Sequence, residues 1–298
     1  MQQCQTRPCM DNPAVGVDHY ENFPVATLLC PRRVRPAVAA IYAYARCADD
    51  IADEGSAAPA ERLAALADYR RDLRTVAVGR APSSRWPHVF QPLRRVVGAY
   101  ALPIELLEDL LSAFEQDVSK HTYEDRQELL DYCRRSANPI GRLMLHLYGV
   151  QRGQALQQSD SICTALQLAN FWQDLGVDVA RGRLYIPLAD CKRHHVDPAE
   201  LMRGHRVQGA RALVAEMAAW SRETMLRGAP LARAVPGTAG WELRLVVQGG
   251  VRILDKVAHL GDEVLERRPI LRPWDAPLML WRALWMKSTA PSGVRKVA

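Results

Sequence analysis

Apolar residues recur at three- and four-residue intervals along most of the chain, the spacing of one helix face. Pro36 opens a first helix in which Ala37, Val38, Ala40, Ile41 and Ala45 turn toward a core. Residues 60–78 predict an amphipathic helix with Leu63, Leu66 and Leu73 inward, and residues 86–100 and 103–119 predict two more. Lys120-His121-Thr122-Tyr123 interrupts the pattern, with Thr122 placed to cap the next helix. Residues 124–150 read as one long helix kinked at Pro139, whose ring removes an interior hydrogen bond. Residues 160–180 form a mostly apolar central helix stopped at Gly182, and residues 184–187 run extended. A short helix starts at Asp197-Pro198, and long ones cover 206–227 and 240–267. Residues 277–286 are strongly apolar, with Arg282 and Lys287 at their edge. Burial against the core is the expectation there, and a membrane surface the alternative. Strand signals are nearly absent. The fold class is therefore all-α, a single domain over 18–287 of roughly ten helices around a central cavity. A flexible N-terminal arm (1–17) and a flexible C-terminal tail (288–298) flank it.

Two of these helices carry polar stripes. Gln167, Asn170, Asp174 and Asp178 lie within about 60° of one another on the central helix, at roughly 100° per residue. Tyr42, Arg46, Asp49 and Asp53 do the same on the first helix, while Asp50 points elsewhere. Either DxxxD pair alone reads most simply as a solvated face. Two of them, each inside a largely apolar segment, are costly to bury without a cation. Hard divalent ions such as Mg²⁺ take oxygen ligands of this kind.

Composition narrows the classes. Hydrophobic residues make up 48% of the 298, enough for a large core, and no uncharged run approaches a membrane span. The opening residues lack the apolar region of a signal peptide. The seven cysteines are an odd number without metal-ligand spacing, which points to reduced thiols and a cytoplasmic protein. The net charge of +6 suits an anionic substrate or an anionic bilayer. Lys and Arg are dispersed through the helices, so no nucleic-acid partner is expected.

The patterns YxxxRxxDDxxD and QxxNxxxDxxxD, followed by Arg181-Gly182-Arg183-Leu184-Tyr185-Ile186-Pro187, resemble the squalene/phytoene synthase family of head-to-head prenyl synthases. The residues 20–26 (YENFPVA), Ser136-Ala137-Asn138-Pro139-Ile140-Gly141 and Asn170-Phe171-Trp172-Gln173-Asp174 resemble one branch, bacterial hopanoid-pathway enzymes that make hydroxysqualene. The resemblance implies an isoprenoid-synthase-like helical fold around a central active-site cavity. It implies catalytic roles for Tyr42, Arg46, Asp49, Asp53, Asp174 and Asp178, and a cluster of two or three Mg²⁺ ions on Asp49, Asp53, Asn170, Asp174 and Asp178. Substrate contacts would come from His19, Asn22, Phe23, Tyr42, Arg46, Gln167, Asn170, Arg181 and Arg183. Tyr132, Ala137, Ile140 and Gly141 would line a prenyl tunnel. Tyr20 stands where many relatives have a small serine, and Gln173 where many have arginine, so one diphosphate contact is missing or supplied elsewhere. The implied reaction ionises presqualene diphosphate, rearranges the cation and quenches it with water, with no NADPH. The alternative is condensation of two farnesyl or geranylgeranyl diphosphates to presqualene diphosphate, dehydrosqualene or phytoene. A non-catalytic helical partner protein is the non-enzyme alternative, disfavoured by two intact acidic motifs. Implied partners are the prenyl diphosphate, the inner face of the cytoplasmic membrane as a peripheral surface, and other enzymes of squalene biosynthesis.

Overall fold

The computed structural model describes residues 31–150 and 153–286, which form fourteen α-helices and no sheet. In chain order these are α1 (Arg35–Asp53), α2 (Pro59–Ala77), α3 (Pro87–Tyr100), α4 (Ile104–Asp117), α5 (Arg126–Ser136), α6 (Asn138–Leu147) and α7 (Gly153–Gln173). Beyond them lie α8 (Leu175–Ala180), α9 (Leu188–Arg193), α10 (Pro198–Met202), α11 (Ala210–Gly228), α12 (Leu231–Ala234), α13 (Gly237–Leu260) and α14 (Ala276–Leu284). Short 3₁₀ turns span Gly261–Leu265 and Pro273–Asp275. The expected arm and tail lie outside the described residues.

Proline sits in the first turn of α1, α2, α3, α6, α10 and α14, where its missing N–H costs nothing. That preference corrects the long 124–150 helix. Pro139 does not kink it but begins α6, and Ala137 links α5 to α6. The cap before α5 is Asp125, whose carboxylate accepts from the Glu128 N–H, and not Thr122. Thr122 instead pairs with Leu184 in an isolated bridge, the end of the extended 184–187 stretch.

The α1 stripe Ala37, Val38, Ile41, Tyr44, Ala48 and Ala52 packs against α3 and α4. Its buried hydroxyl is satisfied, Tyr44 donating to the Leu107 carbonyl at 3.0 Å. On α2, Leu66 and Leu73 are buried as expected, but Leu63 is exposed, because the buried face runs through Leu66, Tyr69, Leu73 and Val76. Helix α7 is buried on several faces, packing against α5, α6, α11 and α13, and is the axis of the fold. Trp172 anchors it by donating to Ser221 Oγ at 2.7 Å.

The last helix contradicts its expectation. Only Ala283 of α14 is buried, and Leu280, Trp281, Leu284 and Trp285 are half or more exposed. The helix is held instead by charge: Arg282 reaches Asp255 on α13 at 2.9 Å. Just before α14, Asp275 takes Arg252 and Lys256.

Candidate active site

On α1 the i, i+4 spacing places Asp49 and Asp53 on one face, turned toward the first residues after α8. Arg183 grips Asp53 with both terminal nitrogens, at 2.6 and 2.9 Å, and also donates to the Asp117 carbonyl at 3.2 Å. This fork joins the first motif to the segment behind the second. The bond to Asp53 raises the Arg183 pKa above its ordinary value. Arg46 lies along its own helix, 3.3 Å from Asp49 and 2.8 Å from Asp50, and is nearly half exposed.

The second motif departs from the uninterrupted helix expected over 160–180. Helix α7 ends at Gln173, Asp174 sits between helices with ψ at 12°, and α8 resumes at Leu175. Helical bonds still cross the break, from Asp174 N–H to Asn170 and from Asp178 N–H to Asp174, so the polar side continues through it. Asp174 is paired with Arg268, a residue 94 positions later. Burial pushes the Asp178 carboxyl up to about 7, Asp174 adds to it, and Arg183 and Arg181 oppose it. Burial also lifts Asp49 to about 6, with Asp53 repelling it further.

A cavity of about 320 Å³ opens beside these groups. Its polar end is Tyr42, Arg46, Asp49, Asp117 and Gln167. The apolar walls include Ile41, Phe114, Ile140 and Met144, with Tyr132 and Ser136 between. A second, almost wholly apolar cavity of about 230 Å³ shares Ile140 and Met144 with it and includes Gly141. Gly141 is needed: a Cβ there would overlap Ser159 Oγ and Cys163 Sγ on α7. Behind the polar end stand four rings, with Phe171 stacked on Tyr185 at 3.8 Å and Tyr132 at 6.1 Å from Phe171. The fourth, Tyr123, lies 5.5 Å from Tyr132.

The structure thus gathers Tyr42, Arg46, Asp49, Tyr132, Ile140 and Gln167 around the first cavity, and Asp53 with Arg183 beside them. Asn170 and Arg181 are exposed at the second motif, and Ala137 is the α5–α6 joint. His19, Asn22 and Phe23 lie outside the described residues. Two residues escape a reading of the sequence. Asp117 ends the apolar stripe of α4, accepts from Tyr132 Oη at 2.9 Å, and its Oδ1 is buried without a partner. Burial pushes it up to about 7, opposed by the Tyr132 bond. A carboxylate in register with Leu107, Leu110 and Phe114 is the available signal. Arg268, inside a run of arginines, has none.

Among the described residues, no three His, Cys, Asp or Glu side chains converge as a metal site. The carboxylates are separated by arginines instead, Arg183 on Asp53 and Arg268 on Asp174. The donor set nonetheless fits a hard divalent ion: all oxygen, with Asp49 and Asp178 held above their usual range by burial and by a neighbouring carboxylate.

Fold and site define a class of helical proteins in which an apolar cavity carries Arg46 and Asp49 of one acidic motif and Gln167 of the other in its lining, with Asp53 and Asp174 paired to arginines. The squalene/phytoene synthase family model matches residues 17–275, and the chain belongs to that family of isoprenoid-biosynthesis enzymes. A solved structure of a squalene synthase, HpnC, from Alicyclobacillus acidocaldarius is 35% identical with a TM-score of 0.74, over 82% of this chain and 90% of that one. A hydroxysqualene synthase from Zymomonas mobilis is 41% identical over 170 residues, 56% of this chain and 54% of the relative. The chain spans about half the length of the curated hydroxysqualene synthases it matches. A phytoene synthase from Thermus thermophilus is 30% identical over 89% of this chain and 88% of its own.

Proposed function

We propose that this chain converts presqualene diphosphate to hydroxysqualene. The observation that carries the reading is the cavity itself: cationic and acidic groups at one end, apolar walls beyond, in a chain similar to hydroxysqualene synthases. Arg183, Arg46 and Tyr42 offer donors to a diphosphate, the arginines with full charge. Mg²⁺ held by Asp49, Asp53, Asn170, Asp174 and Asp178 would neutralise the diphosphate as it leaves. Ile41, Phe114, Ile140 and Met144 exclude bulk water from the cation left behind. The Tyr132 ring, at the cavity wall, presents a π face to positive charge. Asp117 Oδ1 and Ser136 Oγ, both without protein partners at that wall, are where the quenching water would be held.

The test is incubation with presqualene diphosphate and Mg²⁺, without NADPH, in H₂¹⁸O. An alcohol carrying ¹⁸O is expected. Condensation of two prenyl diphosphates is the second reading, favoured by the phytoene synthase match over most of both chains and by a presqualene diphosphate synthase 33% identical over 58% of this one. Presqualene diphosphate or a hydrocarbon formed from farnesyl or geranylgeranyl diphosphate would select it.

The same reading includes a peripheral membrane site at α14, with other enzymes of squalene biosynthesis as neighbours. No described helix is long and apolar enough to cross a membrane. Trp281 and Trp285 lie 5.6 Å apart and exposed, and tryptophan favours the bilayer interface. Delivery of a water-insoluble product into lipid would then avoid its transfer through water.

A further inference from the structure

The segment after α13 lies along the second acidic motif and touches it at three points in antiparallel order. Gln173 is fully buried, and its Nε2 donates to the Pro269 carbonyl at 2.7 Å. The next residue, Asp174, receives the guanidinium of Arg268. Two positions on, Gly176 faces Leu265 so closely that a Cβ would overlap its carbonyl. Numbers rise on one segment as they fall on the other: 173 to 269, 174 to 268, 176 to 265.

We propose that Gln173 and Gly176 are positioning residues for Arg268, locking residues 265–269 along 173–176 so that its guanidinium stays on Asp174 of the second acidic motif. This rests on the diphosphate reading above. An arginine side chain has many rotamers, and fixing its backbone on both sides removes much of the entropy lost when it binds. Unanchored, Arg268 would be one more member of the surface run that includes Arg267 and Arg272, both exposed. Anchored, it delivers a cation to the motif from the far end of the chain, beside an amide that carries no charge of its own. The buried Pro269 carbonyl has the Gln173 amide as its donor, so removing that donor loosens the segment at its centre.

Gln173→Met keeps the length of the side chain and removes the donor. Its affinity for inorganic pyrophosphate with Mg²⁺, measured by titration calorimetry, is expected to fall roughly tenfold. Arg268→Ala should cost at least as much, and adding Gln173→Met to it should change affinity by less than about twofold, because Gln173 acts through Arg268. Hydrogen exchange of residues 265–272 in the ligand-free protein should quicken in Gln173→Met. Gly176→Ala presses the segment from its other end, should behave alike, and carries the same comparison if Gln173→Met does not fold. Losses that multiply in the double variant, or wild-type pyrophosphate affinity in Gln173→Met, would overturn the proposal. A wild-type protein that does not bind pyrophosphate would overturn the diphosphate reading and the task given to Arg268 with it.

Discussion

The two acidic motifs are built differently. The first lies on one unbroken helix, and Arg46 finds Asp49 and Asp50 within its own next turn, with its guanidinium nearly half exposed. The second is interrupted at Asp174, whose cation Arg268 arrives from beyond α13, while Arg183, from the turn after α8, reaches back to Asp53 at the end of the first. A local motif needs only helix geometry. A composite one needs the whole fold to be in place, so its sensitivity to distant change should be greater.

The largest expected effect tests whether both motifs serve one reaction. On the proposed reading Asp49→Asn and Asp174→Asn should each reduce turnover by at least about 1000-fold, since each would remove an anionic ligand of the Mg²⁺ that neutralises the departing diphosphate. Helical circular dichroism should be unchanged in both. Activity within a few-fold of wild type in either would assign the chemistry to the other motif alone.

Next comes pH. Asp117 is 7% exposed, and burial pushes its carboxyl up to about 7 from an ordinary value of 3.8. The folded state therefore holds more protons between those values, and stability falls as pH rises through that window. Metal-free protein should melt lower at pH 8 than at pH 5.5. Asp117→Asn keeps an acceptor for Tyr132, and should flatten the slope and stabilise the pH 8 protein by about 2 kcal/mol. Asp49 and Asp178 act in the same sense, so some slope remains. A variant as steep as wild type would remove Asp117 from the account.

The arginines sharpen the contrast between local and composite pairing. Arg183→Ala should cost about 1–3 kcal/mol in denaturant melts, because it strips a mostly buried Asp53 of both its bonds. Arg46→Ala, whose pairs are exposed, should cost no more than about 0.5 kcal/mol. Equal losses would erase the distinction.

The smallest effect concerns α14. Wild type should sediment with anionic vesicles, less so at high salt. Trp285→Ala should weaken this a few-fold while leaving the melting temperature alone, as the side chain is 65% exposed. Binding equal to wild type would place the lipid contact on another surface.

The first motif, the all-α class and most helix positions are legible in the sequence because they depend on short periodicities. Where expectation fails, a tertiary contact decides. Periodicity along 160–180 carries no sign of the break at Asp174, since the Leu265 backbone that approaches Gly176 is remote in sequence. The apolar 277–286 stretch has the pattern of core, but its helix docks through Ala283 and the Arg282–Asp255 pair, which leaves the large side chains outward. Pro139 is plain in the sequence, and its role as a helix start instead of a kink goes with the one-residue break at Ala137, where φ is −116°. Asp117 is hidden by lying on an apolar stripe, where a lone carboxylate reads as noise.

The partition between the two cavities carries a consequence for divergence among relatives. Ile140 and Met144 are walls of both spaces, and neither is bonded to a carboxylate or arginine of the ionic cluster. Single substitutions there can merge or shorten the apolar space while the charge machinery stays as it is. Gly141, between them, has less latitude, because a side chain there would meet Ser159 Oγ and Cys163 Sγ and force both to move. Substrate length in such a scaffold can drift along two positions flanking one that is more constrained, and the chemistry at the far end need not change with it.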